Sequence, residues 1–321
     1  MPTPNTGVAV SRPDLGVIAH EYADAADQRG YIGDIVMPEF GVPEASGEYP
    51  IIPTKAMLED RETQRAPRSG YSRSDFKFDM GGFTCRENGT EEPLDDREKR
   101  LYKRLFDAEE VATQRATDVV KRRHEQRVAT KVMAPGNAGT SLAVTTAWSD
   151  TVNANPREDV RQAKEQMRYN AGFMPNALVV SYKVFENLVN CDALIKYLQP
   201  TSAFLLENME AQKAILARYL NVPRVLVGDA LKDSAKKGKD FILEDVWSDQ
   251  YAALMKLSDG GMNLQEPCFG RTFVWDGDSG MLTVESYRDE SVRSDIYRAR
   301  QDTDEGIVFK GANLLLTGVT A

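Results

Sequence analysis

The chain carries two histidines, His20 and His124, and each opens a near-miss to the helical HExxH zinc motif. His20-Glu21 is followed by Asp24 where the second imidazole belongs, and His124-Glu125 by Val128. A zinc ion held on one helix face needs both imidazoles one turn apart, so neither pair qualifies. Both histidines read as solvated helical residues. Asp276 to Gly280, DGDSG, has some of the acids of a calcium loop but lacks the third, and Glu285 falls two short of the closing glutamate. A hairpin turn is the expectation there. Ser234 and Lys237 have SxxK spacing, but in a charged, glycine-containing stretch without the companion motifs of acyl-transfer enzymes. GxxxxGK[ST], GxGxxG after a strand, and GxSxG are all missing from the sequence. Cys85, Cys191 and Cys268 are odd in number and far apart, with no CxxC, and read as reduced thiols. The basic run Lys121 to Arg123 is taken as a solvated helix face before an anion site. The residues point to no catalytic, cofactor or metal site.

With 321 residues the chain has material for one large or two ordinary domains. Its net charge of -9 argues against a general nucleic-acid binder, because phosphate neutralisation needs a basic surplus. The first twenty residues hold no apolar core of signal-peptide length, and no run approaches a membrane span. The expectation is a soluble protein folded where it is made.

The element that organises the rest is Leu94 to Met133, which reads as one unbroken helix. Pro93 stands at a first helical position, Glu91, Glu92, Asp95 and Asp96 lie at its start, and Lys121, Arg122, Arg123, Arg127 and Lys131 lie towards its end. Pro135, Gly136 and Asn137 stop it. Leu101, Leu105, Ala108, Ala112, Ala116 and Val119 recur at steps of three and four, so one narrow stripe is apolar. About 40 residues at roughly 1.5 Å each make about 60 Å. So long a helix with so thin a stripe is a beam along a flat subunit, or less well a coiled-coil strand, since the heptad from Leu94, Leu101 and Ala108 next meets Arg115 and Arg122.

Residues 1–47 form a proline-rich arm with little to bury. Tyr49 to Pro53 is apolar and extended, a charged run follows, and Phe76, Phe78 and Met80 alternate with Lys77 and Asp79 as a strand does. These make a long two-stranded ribbon with a charged tip around Arg61 to Arg73, which needs a partner for stability. Beyond the beam, Ser141 to Trp148 reads as a strand, and Asn155 caps a helix with Val160, Ala163 and Met167 on one face. Ala177 to Val180 is a buried strand, Ser181 caps the next helix, Ala203 to Leu220 is another, and Arg224 to Gly228 another strand. This is a compact α/β unit over about 151–265. Asp233 to Asp240 is a solvated turn, Tyr251 to Leu257 and Phe269 to Trp275 are strands, and Phe269 to Tyr287 is read as a hairpin. Ile307 to Val319 supplies the last strand or two. An arm, a ribbon and a beam each need something to pack on, and identical neighbours in closed head-to-tail rings are the economical answer.

In order and pattern, nearly the whole chain resembles the major capsid proteins of tailed bacteriophages with the Hong Kong 97-type fold. The likeness is carried by DIVMPEFGVPEASGEYPIIP leading into an extended loop, the long helix, NPREDVRQAKEQM, FMPNALVVSYKVFENL, NVPRVLVGDA, DVWSDQYAALMKL and EPCFGRTFVWD. It implies an α+β capsid fold with an N-terminal arm (1–47), an E-loop hairpin (48–92), a peripheral domain with the spine helix (93–150) and an α/β axial domain (151–265). Strands of 266–321 would return to the peripheral and axial domains. It implies pentamers and hexamers closing an icosahedral shell around double-stranded DNA that is enclosed and not specifically bound. The virion capsid would assemble in the host bacterial cytoplasm, with no membrane and no cofactor. Because the arm begins near Met1, a separate scaffolding protein is expected, with a portal and a decoration protein as further partners. Subunit-interface candidates are Arg61, Arg65, Arg68, Arg73, Phe76, Phe78, Arg100 and Arg104. Lys55 and Lys77 are the E-loop lysines that a cross-linking member of the family would use. Two other readings stay open: an encapsulin-type compartment holding an enzyme cargo, and a soluble α/β enzyme without a recognisable motif.

Overall fold

The computed structural model describes residues 10–11, 15, 30–51, 58, 60, 63–65, 67–68, 70–71, 79–102, 106–198, 208–236, 238–261, 264, 266–278 and 282–320. In chain order, β1 (Val10–Ser11), α1 (Gly33–Val36) and β2 (Glu39–Val42) come first. β3 (Ser46–Ile51) pairs antiparallel with β4 (Asp79–Thr84) as a ribbon. β5 (Arg86–Asp95) runs into a short helix α2 (Asp96–Tyr102), and the long helix α3 (Ala108–Val132) follows. Next are β6 (Thr140–Ala143), α4 (Pro156–Ala171), β7 (Ala177–Ser181), α5 (Tyr182–Val189), α6 (Asp192–Leu198), α7 (Met209–Leu220) and β8 (Arg224–Gly228). β9 (Leu231–Asp233) and β10 (Leu243–Asp245) form a second ribbon. β11 (Tyr251–Met255), β12 (Gly270–Trp275), β13 (Thr283–Asp289), β14 (Ser294–Ile307) and β15 (Asn313–Thr317) complete the chain.

Two sheets emerge. The first has six strands centred on β14, which pairs antiparallel with β12, β13 and β5, while β2 adds parallel to β12 and β1 antiparallel to β13. The second is ordered β6-β15-β11-β7-β8 and is mixed, with β7 parallel to β8 and β15 parallel to β6. Local chemistry explains its helices. Asn155 accepts the Glu158 amide and Pro156 opens α4, which Gly172 ends at φ 81°, a backbone state that side chains disfavour. Ser181 Oγ accepts the Val184 amide to start α5. All five residues of β7 are buried, as a central strand requires. The main apolar core lies around this sheet, with Val160, Ala163 and Met167 of α4 and Val184, Phe185 and Leu188 of α5 packed on Leu178, Leu254 and Leu315.

The long helix differs from its expected extent. Glu91, Glu92, Pro93 and Leu94 lie in β5, with Pro93 opposite Ile296, and not on a first helical turn. The helix then starts twice, at Asp96 and again at Ala108, where Asp107 accepts the Glu109 amide at 3.0 Å as N-cap. Asp107 followed by Glu110 is a capping-box spacing, so the second start was written in the residues. At 25 residues α3 is about 37 Å long. Its stripe is Ala108, Ala112, Ala116 and Val120, packed on Leu94, Val284, Tyr297 and Ala299, whereas Leu101 and Val119 are exposed. Alanines permit this close approach of helix to sheet.

Three further expectations change. Phe269 to Tyr287 is no hairpin, because β12 and β13 both pair with β14 and not with each other. β14, with alternating charges, is a fourteen-residue strand that no sequence signal announces. The strand after the long helix is shorter, at Thr140–Ala143. Of the helix expected from Ala203, Met209–Leu220 is described and residues 203–207 lie outside the described residues.

Candidate assembly surfaces and the buried junction

The strongest departure from the sequence reading is on the inner face of α3. His124 and Glu125 are not solvated; both are buried. His124 Nδ1 lies 3.0 Å from Glu305 Oε1 of β14, and its Nε2 lies 3.0 Å from Asp34 Oδ1 of α1. Arg127 Nε donates to both Glu305 oxygens at 2.9 and 3.1 Å, and Lys121 Nζ reaches Asp34 Oδ2 at 3.0 Å. Lys131 donates to the Glu305 carbonyl and stands 3.5 Å from Asp304. One turn earlier, Tyr31 donates to Asp118, which Arg122 also pairs. Burial pulls the His124 imidazole down, but hydrogen bonds and charge from Asp34 and Glu305 outweigh it and raise the group to about 9. The imidazolium thus persists at neutral pH. Its partners shift the other way: burial opposes their ionisation, yet His124 with Lys121 holds Asp34, and with Arg127 holds Glu305, below the usual carboxylate range.

Glu125 accepts three donors: Ile32 N at 3.0 Å, Gly33 N at 2.6 Å and Trp247 Nε1 at 2.6 Å. Burial raises its carboxyl, and those three hydrogen bonds oppose the rise. Trp247 follows β10 and packs in the core of the second sheet, whereas Glu305 belongs to the first. Two adjacent residues of α3 therefore fasten the N-terminal segment at residues 31–37 to both sheets. Gly33 is required there, since a Cβ would lie 2.5 Å from Glu125 Oε2. No sequence motif announced this junction. The one available signal was the adjacency of an acid and an imidazole on a helix whose neighbours Val128 and Val132 are apolar.

The β3–β4 ribbon is fixed at its base. Tyr49 Oη donates to the Ile307 carbonyl at 2.8 Å, the Thr84 amide donates to Asp304 at 3.0 Å, and Phe83 stacks on Phe273 with ring centres 4.7 Å apart. Of the interface candidates, Arg65 donates to Tyr71 Oη at 3.4 Å and lies over its ring at 5.0 Å. Arg68 adopts the left-handed backbone at φ 69° and is exposed, as is Arg100 on α2. Arg61, Arg73, Phe76, Phe78 and Arg104 lie outside the described residues, as do His20, Lys55 and Lys77. Arg65 and Arg68 lie in the segment between β3 and β4, and Arg100 on the separate helix α2. Missed by sequence reading is an ion-pair cluster joining α2 to the first sheet: Arg288 grips both oxygens of Asp96 at 2.7 and 2.8 Å and also reaches Asp295, which Lys99 pairs at 3.1 Å.

Among the described residues no group of three or more His, Cys, Asp or Glu side chains could hold a metal ion, and no helix is long and apolar enough to cross a membrane. The thiols suit packing better than attack: burial, with Asp304 and Asp302 nearby, pushes Cys85 up to about 11, and burial also raises Cys268.

No family model matches the sequence, and no curated protein matches it. Solved structures do. A phage-related protein from Bordetella bronchiseptica shares 21% identity and superposes with a TM-score of 0.71 over 97% of this chain and 98% of its own. The capsid structure of the cyanophage P-SCSP1u gives 0.59 at 10% identity over 88% and 86%. The virus-like particle of Pyrococcus furiosus gives 0.55 at 10% identity over 94% and 98%. The α+β fold is that of phage capsid structures.

Proposed function

We propose that the chain is the structural subunit of a closed protein shell, a major capsid protein of the tailed-phage type. The observation that carries this is fold correspondence with a phage-related protein over 97% of this chain and with a cyanophage capsid structure over 88% of it. The physical features agree: a first sheet covered by the long helix, a ribbon whose base is fixed by Tyr49, Phe83 and Thr84, and, among the described residues, no metal-binding cluster. In this reading residues 48–92 form the E-loop lying over a neighbour, 93–150 the peripheral spine, and 151–265 the axial part, with 266–321 shared between them. Copies associate as pentamers and hexamers and enclose double-stranded DNA. A separate scaffolding protein and a portal are the expected partners of such a shell, with a decoration protein as an optional one, and assembly takes place in the host cytoplasm.

Electron microscopy of the purified, overexpressed chain tests the reading. Closed shells, or rings of five or six, are expected; a monomer at every concentration, also with scaffold present, would refute it. Deleting residues 61–73 is expected to leave a folded subunit that makes no stable shells. A second reading is an encapsulin-type compartment holding an enzyme cargo, since the likeness to the virus-like particle of Pyrococcus furiosus supports a closed shell of either kind. Ultraviolet absorption of purified native particles separates the two, because packaged DNA dominates the signal at 260 nm.

A further inference from the structure

The β9–β10 ribbon does not serve the core. Phe241, Ile242 and Leu243 are consecutive and 69%, 53% and 54% exposed, and Leu231 opposite is 44% exposed. Leu243 opens β10 and Phe241 and Ile242 lead into it, so the ribbon and its approach carry apolar groups that nothing covers among the described residues. Its strands pair over three residues each, from Leu231–Asp245 to Asp233–Leu243, with one backbone hydrogen bond beyond at either end, Val246 to Ala230 and Ser234 to Ile242. Two strands this short are marginal in water alone, and contiguous exposed apolar groups mark interaction sites. Its tip is basic: Lys236 and Lys239 are exposed and form no ion pair among the described residues.

The base of the same ribbon has the opposite character. Asp229, Asp245 and Asp249 stand together where β8 leaves and β10 returns. Burial raises Asp245, and the charges of Asp249 and Asp229 raise it further, with Lys183 opposing. Asp229 is also raised by burial, with Lys213 opposing. Lys183 is 3.5 Å from Asp249, and Lys213 is already engaged with Glu210 at 2.8 Å. Beside them Tyr182 is 40% exposed and feels both Glu186 and Asp229. The base therefore presents an aromatic ring within a surplus of carboxylates, and the tip presents apolar groups with unpaired lysines.

We propose that the β9–β10 ribbon is a head-to-tail contact between copies of this chain, its lysine tip and apolar flank seating on the Tyr182–Asp229–Asp245 surface of the next copy. A donor and an acceptor at different places on one subunit make a heterologous contact, which closes into a ring when the rotation allows. The three-residue strand β9 spans about 10 Å at roughly 3.3 Å per residue, and the chain to Lys236 extends the ribbon beyond it. The proposal rests on the shell reading for the identity of the occupant, a second copy.

The test uses the full chain with Lys239→Cys and Asp245→Cys together. After assembly and mild oxidation, a non-reducing denaturing gel is expected to show a ladder reaching five or six copies. Either single variant, and the native chain with its own three cysteines, should lack it. Independently, Lys236→Glu with Lys239→Glu is expected to lower the yield of sedimenting particles at least tenfold with an unchanged melting temperature, and adding Asp245→Lys to restore it. Shells that form without the ladder, or charge-reversed chains that assemble at the native yield, overturn the ribbon contact and leave the shell reading intact. A native chain that stays monomeric under all conditions overturns both.

Discussion

Replacing His124 by glutamine removes the one cation that stands between Asp34 and Glu305, and its cost follows from the geometry. The imidazole is held at about 9 in the folded chain, against about 6.5 in an unfolded one. That difference corresponds to on the order of 3 kcal/mol of stability. The folded value is the raised one, so the contribution is complete below about pH 6.5 and is lost as pH climbs to about 9. Asp34 and Glu305 are lowered, so their contributions hold at neutral pH and fall away only in acid. Tyr31 and Tyr49 are raised above their usual 10 and stay out of this window. The unfolding free energy of the native chain should therefore decline by about 3 kcal/mol between pH 6.5 and 9. His124→Gln should be about 3 kcal/mol less stable at pH 6.5, because buried Glu305 and half-exposed Asp34 lose a shared cation while keeping Arg127 and Lys121, and should lack most of that decline. Carbon-13 labelling of the imidazole Cε1 supplies a direct readout, since the chain has only two histidines and His20→Gln identifies the second signal. A His124 resonance that titrates near 6.5, or an equal pH slope in the variant, would refute the imidazolium bridge.

Glu125→Gln keeps the shape but turns an amide NH2 towards backbone or indole donors; a loss of about 1–3 kcal/mol in chemical denaturation is expected. Gly33→Ala places a methyl group 2.5 Å from Glu125 Oε2, and should cost about 1–3 kcal/mol by the same measurement. Asp107→Ala removes the cap of α3 and should cost about 1 kcal/mol, read as a melting temperature lower by about 2–4 °C. Should the alanine variant at 107 match the native chain, the break before α3 is not held by its cap.

Much of the second sheet could be read from the residues because its signals are local. Asn155, Pro156 and Gly172 bound one helix, Ser181 starts another, and Ala177 to Ser181 is apolar enough to announce a buried strand. Of the first sheet, β12 at Gly270–Trp275 is legible in this way, but its central strand is not. β14 runs Ser-Asp-Ile-Tyr-Arg-Ala-Arg-Gln-Asp-Thr-Asp-Glu-Gly-Ile, a polar stretch with no hydrophobic alternation. It becomes the central strand because one face is covered by α3, where Tyr297 and Ala299 meet alanines and Glu305 meets His124 and Arg127, while Arg298 and Arg300 pair with Glu285 across the other face. Its partners are more than a hundred residues away in β5 and adjacent in β13, so no window of sequence holds the pattern.

The same division applies to function. By itself the sequence determined that no zinc, phosphate-loop or nucleophile motif is present, that a long helix with a thin alanine stripe must pack closely on something flat, and that a ribbon near residues 48–92 lacks a core of its own. Composition and periodicity suffice for that, because they act over a few residues. Only the tertiary structure decided that His124 and Glu125 are buried at the meeting of arm and sheets, and that Phe241, Ile242 and Leu243 face solvent. Whether a charge is paired, or an apolar group covered, depends on what distant chain arrives beside it.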